Sequence, residues 1–536
     1  MKVRTLSTLL GATLICLSLA GVSNVIQANP LGQSAQNAPA SSSKEADQCI
    51  RCHAAKVAGF TRSKMANSMR TGGQEPAGIV QIGGTTIRMY SDKNGSWQSL
   101  ERNGSTRTYH VDYVIGSATH ASGFLIDLGD HLLQSPVAYY TSREAYGMAP
   151  GFEAAPDPDF TRPVGAGCVF CHAGSFSAVA GTMNEYGATP FPHLAIGCNR
   201  CHGDASAHLA DPDAGNIVNP ENLDTSARDS ICEQCHLIGL ARVLNPGKRF
   251  SDFQAGEPLE DVFTVYHSVA PKGTEARFRV ISHSEQLALS KCKISSGQQM
   301  WCGTCHDPHD EPTETVSFYR QRCLRCHAHT SFLADHPSRT SDCISCHMPK
   351  RDAKDGGHTT FTDHRIQRIP EDQPAAEASS VVAWRDPPVD LATRNLGIAL
   401  VEIGTQRSSP KQVVDGYRML TEVQQKFSGD SEMYNSIGNA LYMGRQYGEA
   451  VQAFELAVRF DPISSQKEAS LGQAYAALGD QKQAERHLEE ATELDPLNLS
   501  AATHLIGIYN RNGETAKADE LSKKITGLAS TTIDRK

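Results

Sequence analysis

The phrase Cys-x-x-Cys-His recurs seven times in this chain of 536 residues. The copies are Cys49/Cys52/His53, Cys168/Cys171/His172, Cys198/Cys201/His202, Cys232/Cys235/His236, Cys302/Cys305/His306, Cys323/Cys326/His327 and Cys343/Cys346/His347. On a helical turn, positions i, i+3 and i+4 share one face. Each copy can therefore aim two thiols and one imidazole at the same group. Thiols so placed can form thioethers to a porphyrin rim while the imidazole reaches the iron, and the phrase is the attachment signature of c-type haem. Structural zinc sites built from Cys-x-x-Cys pairs use four ligands and need no His after the second Cys. Seven redox dithiols without a thioredoxin-like pattern are equally out of place. The motifs predict seven covalently attached haems, with the seven motif histidines as proximal iron ligands.

Each motif needs only one helical turn, so the chain between motifs has to hold the turns together. Six copies lie between residues 168 and 347. So little chain per motif cannot build six separate apolar cores. The porphyrins would supply much of the buried surface and lie close together, which predicts electronic contact along the chain.

The address agrees. Lys2 and Arg4 precede an apolar stretch from Leu9 to Val22, and Ala28 suits a cleavage site, so residues 1–28 read as a secretory signal peptide. Cys16 lies inside that apolar stretch. No later stretch is long and apolar enough to span a bilayer, so the mature chain is expected to be periplasmic or extracellular with no transmembrane span. A net charge of −9 argues against nucleic acid as a partner. Of 16 Cys, 14 belong to motifs and Cys16 leaves with the leader, so Cys292 remains alone. A buried thiol near the fifth motif is the plain expectation for it; an intermolecular bridge or a reactive thiol is the alternative.

Residues 29–45 read as a disordered lead-in. Met65 or Met69, in the stretch after His53, could ligate the first iron, and Met/His ligation raises a haem's potential. Residues 78–145 have strand-like runs separated by turn signals at Asp92-Lys93-Asn94-Gly95 and Asn103-Gly104. They predict a small antiparallel β insertion carrying His110, His120 and His131. Arg62, Arg162, Arg200, Arg242 and Arg325 lie near motifs and could pair with propionates or be solvated.

Several blocks carry a resemblance. These are Ile196-Gly197-Cys198-Asn199-Arg200-Cys201-His202-Gly203 with His208, Ile217-Val218-Asn219-Pro220, the run from Cys302 to His309, the run from Asp342 to Lys350, and the run from Phe361 to Ile366. Together they resemble secreted bacterial multihaem c-type cytochromes, related to the tetrahaem cytochromes that accept electrons from hydroxylamine oxidoreductase, with a C-terminal tetratricopeptide region. The resemblance covers about residues 46–525. It implies His208, His309, His358 and His364 as distal ligands. His120, His193 and His283 follow more weakly, from context. His110, His131, His267, His329 and His336 would then be spare. Relatives often have His where this chain has Met65, which bears on the first haem. No motif ends in Lys, so the Lys-ligated catalytic haem of pentahaem nitrite reductases is absent.

After Arg368 comes a Pro/Ala/Glu/Ser-rich linker, residues 369–387, and a new period begins. Tyr434, Gly438, Ala450, Phe454, Ala457 and Pro462 are followed by Gly472, Tyr475, Ala484, Leu488, Ala491 and Pro496. Gly438 to Gly472 and Pro462 to Pro496 each span 34 residues, the tetratricopeptide period. A degenerate third copy holds Tyr509, Gly513 and Ala518, and a looser one starts near Leu396-Gly397.

The expected architecture is mainly α. A loop-rich, haem-packed cytochrome domain over 46–368 carries the small β insertion, and an α-solenoid of helix pairs follows over 388–530. The expected function is electron transfer between redox partner proteins, with the repeats binding a protein partner or a second copy. The alternative is a multihaem oxidoreductase acting on a small nitrogen or sulfur compound at one five-coordinate haem.

Overall fold

The computed structural model describes residues 44–269, 279, 282–328, 336, 342–353, 359–368 and 380–530. The signal peptide, most of the lead-in, His329, His358 and the first part of the linker lie outside the described residues.

Downstream of the first motif the chain builds two antiparallel sheets. One has the order β1 (Met69–Thr71), β6 (Tyr113–Ile115), β7 (Ala121–Asp127), β8 (Leu132–Tyr140), β10 (Arg162–Pro163), with β9 (Ala145–Met148) also on β8. The other runs β2 (Gly78–Ile82), β3 (Thr85–Asp92), β4 (Gly95–Arg102), β5 (Ser105–His110). Side chains alternate across a strand, so Ile87, Met89, Leu100 and Tyr109 of the second sheet fall on one face. There they share a core with Phe124, Ile126, Leu133 and Val137 of the first. The hairpin between β4 and β5 turns on Asn103 (φ 52°) and Gly104 (φ 76°). Both lie in the left-handed region that a two-residue primed turn requires.

This module corrects the mainly-α expectation. The β content is substantial, and it extends from Met69 to Pro163 rather than over 78–145 alone. The outer strands are short, and they pair with segments distant in sequence, as β10 does with β8.

A second β element ties the two halves of the chain together. β11 (Ala241–Leu244) pairs with β12 (Phe263–Val269), which pairs with β15 (Ser380–Ala383). Residues 380–383, expected as linker, are therefore a sheet strand. β13 (Lys350–Asp352) and β14 (Thr360–Thr362) form a small ribbon.

Three helices carry or end in motifs: α1 (Lys44–Thr61), α2 (Thr225–His236) and α3 (Thr315–His327). Eight more stack in pairs: α4 (Ala392–Gln406), α5 (Pro410–Val423), α6 (Ser431–Met443), α7 (Tyr447–Phe460), α8 (Ser465–Leu478), α9 (Gln481–Leu494), α10 (Leu499–Asn512) and α11 (Thr515–Ser530). The 34-residue period has a local cause at both ends of each pair. Asp430, Ser464 and Asn498, 34 residues apart, cap α6, α8 and α10 by accepting from Met433, Lys467 and Ala501 backbone N–H groups. A Cβ on Gly438 would sit 2.6 Å from the Phe454 ring, and one on Gly472 would sit 2.7 Å from Leu488. The glycines let the paired helices approach closely, onto the Phe454 ring in one pair and Leu488 in the next.

The solenoid is bolted to the rest. Arg394 on α4 is fully buried. Its guanidinium donates to both Asp430 oxygens, at 2.6 and 3.1 Å, and to the Leu244 carbonyl of β11 at 2.6 Å. Asn395 donates to Asn245 and Thr264 at 3.0 Å each. Ala241, Val243 and Tyr266 join Ile398, Ala399 and Val401 in one core.

A second clamp sits at the far end. His131, buried at the start of β8, places Nδ1 2.6 Å from Asp130 and Nε2 3.2 Å from Asp495, which lies between α9 and α10. Two carboxylates can be satisfied only by a ring that donates from both nitrogens. Burial opposes that charge, but Asp495 and then Asp130 outweigh it and hold the His131 pKa above its ordinary value. A raised folded pKa stabilises fully below the unfolded value, about 6.5, and is lost as pH rises through the folded one. The thermal midpoint is therefore expected to fall as pH rises above about 6.5. His131→Gln should flatten that slope, measured by melting followed with circular dichroism.

Candidate functional site

Thirteen of the fourteen motif cysteines and all seven motif histidines converge. All seven histidines and thirteen of the cysteines, all but Cys168, line one cavity of about 4610 Å³. Shared among seven groups, that is about 660 Å³ each, within the ordinary range for one large ligand. None of the fourteen cysteines is in a disulfide.

Each described motif lies on or beside a helical turn, as its spacing requires. The fourth ends α2, whose N-terminus Asp224 caps through the Ser226 and Ala227 N–H groups. The sixth ends α3. The third, fifth and seventh occupy the short turns Asn199–His202, Cys302–Cys305 and Cys343–His347. The first sits inside α1, which leaves helical geometry at His53 (φ −114°, ψ 36°).

Across the cavity, motif imidazoles face other imidazoles. The ring centroids of His53 and His208 are 6.4 Å apart, those of His202 and His309 5.9 Å, and those of His306 and His364 6.2 Å, all stacked within 29°. His347 faces His336 at 6.0 Å. His236 meets His283 edge-on at 5.3 Å, and His283 meets His364 at 4.9 Å. Imidazole nitrogens bind a transition metal at about 2.0–2.1 Å. Two rings on opposite sides of one ion therefore have centroids about 6 Å apart, with the ion between them. The three near-parallel pairs have that centroid spacing.

Their protonation fits as well. Burial, and then the neighbouring imidazoles, push His306 down to about 4 and His283 down to about 2. Burial also lowers His172, His236, His309 and His364. Neutral rings are the form that ligates metal. His208 and His283 each leave a buried Nδ1 without a hydrogen-bond partner. Among the described residues no cluster of three or more His, Cys, Asp or Glu side chains could hold a metal ion by itself. Two axial imidazoles hold an iron when a macrocycle supplies the remaining ligands.

Several expected site residues are placed differently. His336, expected to be spare, faces His347. His193 does not line the cavity; it bridges to Ser175. His120 lines the cavity but packs on Phe361 at 4.6 Å. Met65 lines the cavity, yet His208 is the residue that faces His53. His208, His283, His309 and His364 line the cavity, and His358 lies outside the described residues. No second imidazole faces His172 among the described residues; its ring is buried beside the Ser68 backbone. His110 and His131 belong to the β module, bonded to Asp112 and to Asp130 and Asp495. His267 packs on Trp384.

The motifs also touch one another. Cys171 lies within hydrogen-bonding reach of Cys235, Cys232 of Cys302, and Cys323 of Cys343. Cys201 lies close enough to Cys232, and Cys305 to Cys323, to raise the thiol pKa values of Cys232 and Cys323. These contacts join motifs two and three to four, four to five, five to six and six to seven. His208, six residues after the third motif, joins the first. Cys292 lines the cavity beside motifs five and six.

Of the flanking arginines, Arg62 pairs with Asp310 and Arg162 donates to the Pro150 carbonyl. Arg200 stacks on Phe170 at 4.5 Å, and Arg242 donates to the Leu237 carbonyl. Arg200 and Arg242 each keep a buried Nε without a hydrogen-bond partner, and both lie near Cys171. Arg325 is exposed at the cavity edge.

The tetratricopeptide repeat family matches residues 469–496, which span α8 and α9. With the helix pairs and their 34-residue caps on the page, that match decides the type. The C-terminal region is a tetratricopeptide solenoid. Solved structures give MamA at 18% identity, covering 27% of this chain and 90% of that one, with a TM-score of 0.24. They also give Pseudomonas aeruginosa PilF at 21% identity, covering 24% of this chain and 59% of that one, with a TM-score of 0.22. Scores this low carry no argument beyond the helix pairs themselves. A search of curated proteins gives no match. No described helix is long and apolar enough to cross a membrane.

Proposed function

We propose that this chain is an exported c-type cytochrome holding seven haems and carrying electrons between redox partners, with the tetratricopeptide solenoid docking a protein. The observation that carries the reading is the set of stacked imidazole pairs at 5.9–6.4 Å, each pairing a motif histidine with a histidine outside the motifs. Haem iron, alternating between ferric and ferrous, would supply the redox chemistry. The polypeptide's part is to fix two thioethers per group, supply an imidazole on each side, and exclude water. A closed sixth position favours electron passage over substrate binding. The linked motifs support a continuous route, because electron tunnelling weakens steeply with distance. The solenoid's burial against β11 and β12 supports a fixed docking platform rather than a swinging arm.

The catalytic alternative draws on His172, which no second imidazole faces among the described residues. An open iron there could take a small nitrogen or sulfur compound. Carbon monoxide added to the reduced protein separates the two readings. Electron carriage expects no Soret shift. Catalysis expects uptake of one equivalent, with a carbon monoxide spectrum that changes in a His172→Ala variant.

A further inference from the structure

Glu233 is the only carboxylate between the two cysteines of any of the seven motifs. It lies within the fourth, and its side chain is 7% exposed. A carboxylate buried there needs a compensating charge, and the chain brings one from 152 positions downstream. Arg385 places a guanidinium nitrogen 2.6 Å from Glu233 Oε2, and Trp384 Nε1 donates to Glu233 Oε1 at 3.0 Å. Arg385 is itself fixed by Glu260 at 2.6 Å and by the Ser230 hydroxyl at 2.7 Å. The Trp384 backbone N–H donates to the Val265 carbonyl at 2.8 Å, extending the pairing of β15 with β12. Trp384 and Arg385 thus lie between the last strand and the first solenoid helix, locked onto the fourth motif.

That motif is where the contacts converge, since its thiols meet those of motifs two, three and five. Glu233 also lies close enough to the Cys232 and Cys302 thiols for its charge to act on both, beside the larger effect of their mutual hydrogen bond, which raises Cys232 and lowers Cys302. We propose that the Glu233–Arg385 ion pair sets the reduction potential of the haem held at the fourth motif, so that the segment leading into the solenoid governs electron flow through the junction. The inference rests on the haem reading. Reduction there adds one electron to one iron and makes or breaks no bond. Negative charge held nearby opposes it and positive charge assists it. In a buried setting neither is well screened.

Spectroelectrochemical titration of the holoprotein tests this, recorded well above neutral pH so that Glu233 stays ionised. Glu233→Gln is expected to move one of the seven one-electron steps to higher potential. Arg385→Gln should move the same step lower, and the double variant should bring it back towards the parent. That step should also be the one raised by His283→Met, because Met/His ligation raises a haem's potential. If no step moves while the melting temperature falls, the pair is a tether alone and the inference is overturned. It is overturned equally if all steps shift together. A preparation lacking bound haem would instead refute the reading beneath it, and a pyridine haemochrome assay of the same sample tells the two failures apart.

Discussion

Arg394→Ala is expected to destabilise the folded chain by about 3–5 kcal/mol, the usual cost of stranding one partner of a buried ion pair. Asp430 would be left with a buried charge, and it also caps α6 through the Met433 N–H. The Leu244 carbonyl on β11 would lose its donor at the same stroke. The loss should be felt on both sides of the joint, so sheet and solenoid should no longer unfold as one. Arg394→Lys keeps the charge but not the fork that reaches both carboxylate oxygens and the carbonyl, so it should fall between. Replacing both Arg394 and Asp430 with apolar residues of similar volume should cost much less than either single change. Urea unfolding followed by circular dichroism measures all four. A loss under about 1 kcal/mol for Arg394→Ala, the range of surface pairs, would mean that the joint is not held here.

His309→Ala is expected to open one iron. The His309 ring faces His202 at 5.9 Å, and no other imidazole faces His202 among the described residues. Carbon monoxide uptake by the reduced variant should exceed that of the parent chain by one equivalent, with haem content unchanged because both thioethers of the third motif remain. Added imidazole should reverse the gain by filling the vacated position. Fusion of the variant's Soret response with the parent's would show that His309 does not ligate.

The motifs are legible because their residues occupy five consecutive positions. The solenoid was legible for a similar reason: a 34-residue spacing of Gly438 and Gly472 has a local cause, the close approach of Phe454 and Leu488. What stayed hidden depends on distance along the chain. His208 faces His53 from 155 positions away, and nothing near His336 marks it as the ring facing His347. Met65 is close to His53 in sequence, yet the imidazole that faces His53 belongs to His208. Arg394 reads as one more helix-surface charge until Asp430 and the Leu244 carbonyl, 36 and 150 positions off, are brought against it. The edge strands β1 and β10 fall outside the expected insertion because they are only three and two residues long, too short for alternation to show.

The most direct test is the intact mass of the mature, exported chain, read with a pyridine haemochrome assay of the same sample. Seven haem additions on a polypeptide that has lost its first 28 residues are expected. Substituting both cysteines of the fourth motif with serine should leave six. Two or three additions on the parent chain, or cysteines recovered unmodified, would contradict the account.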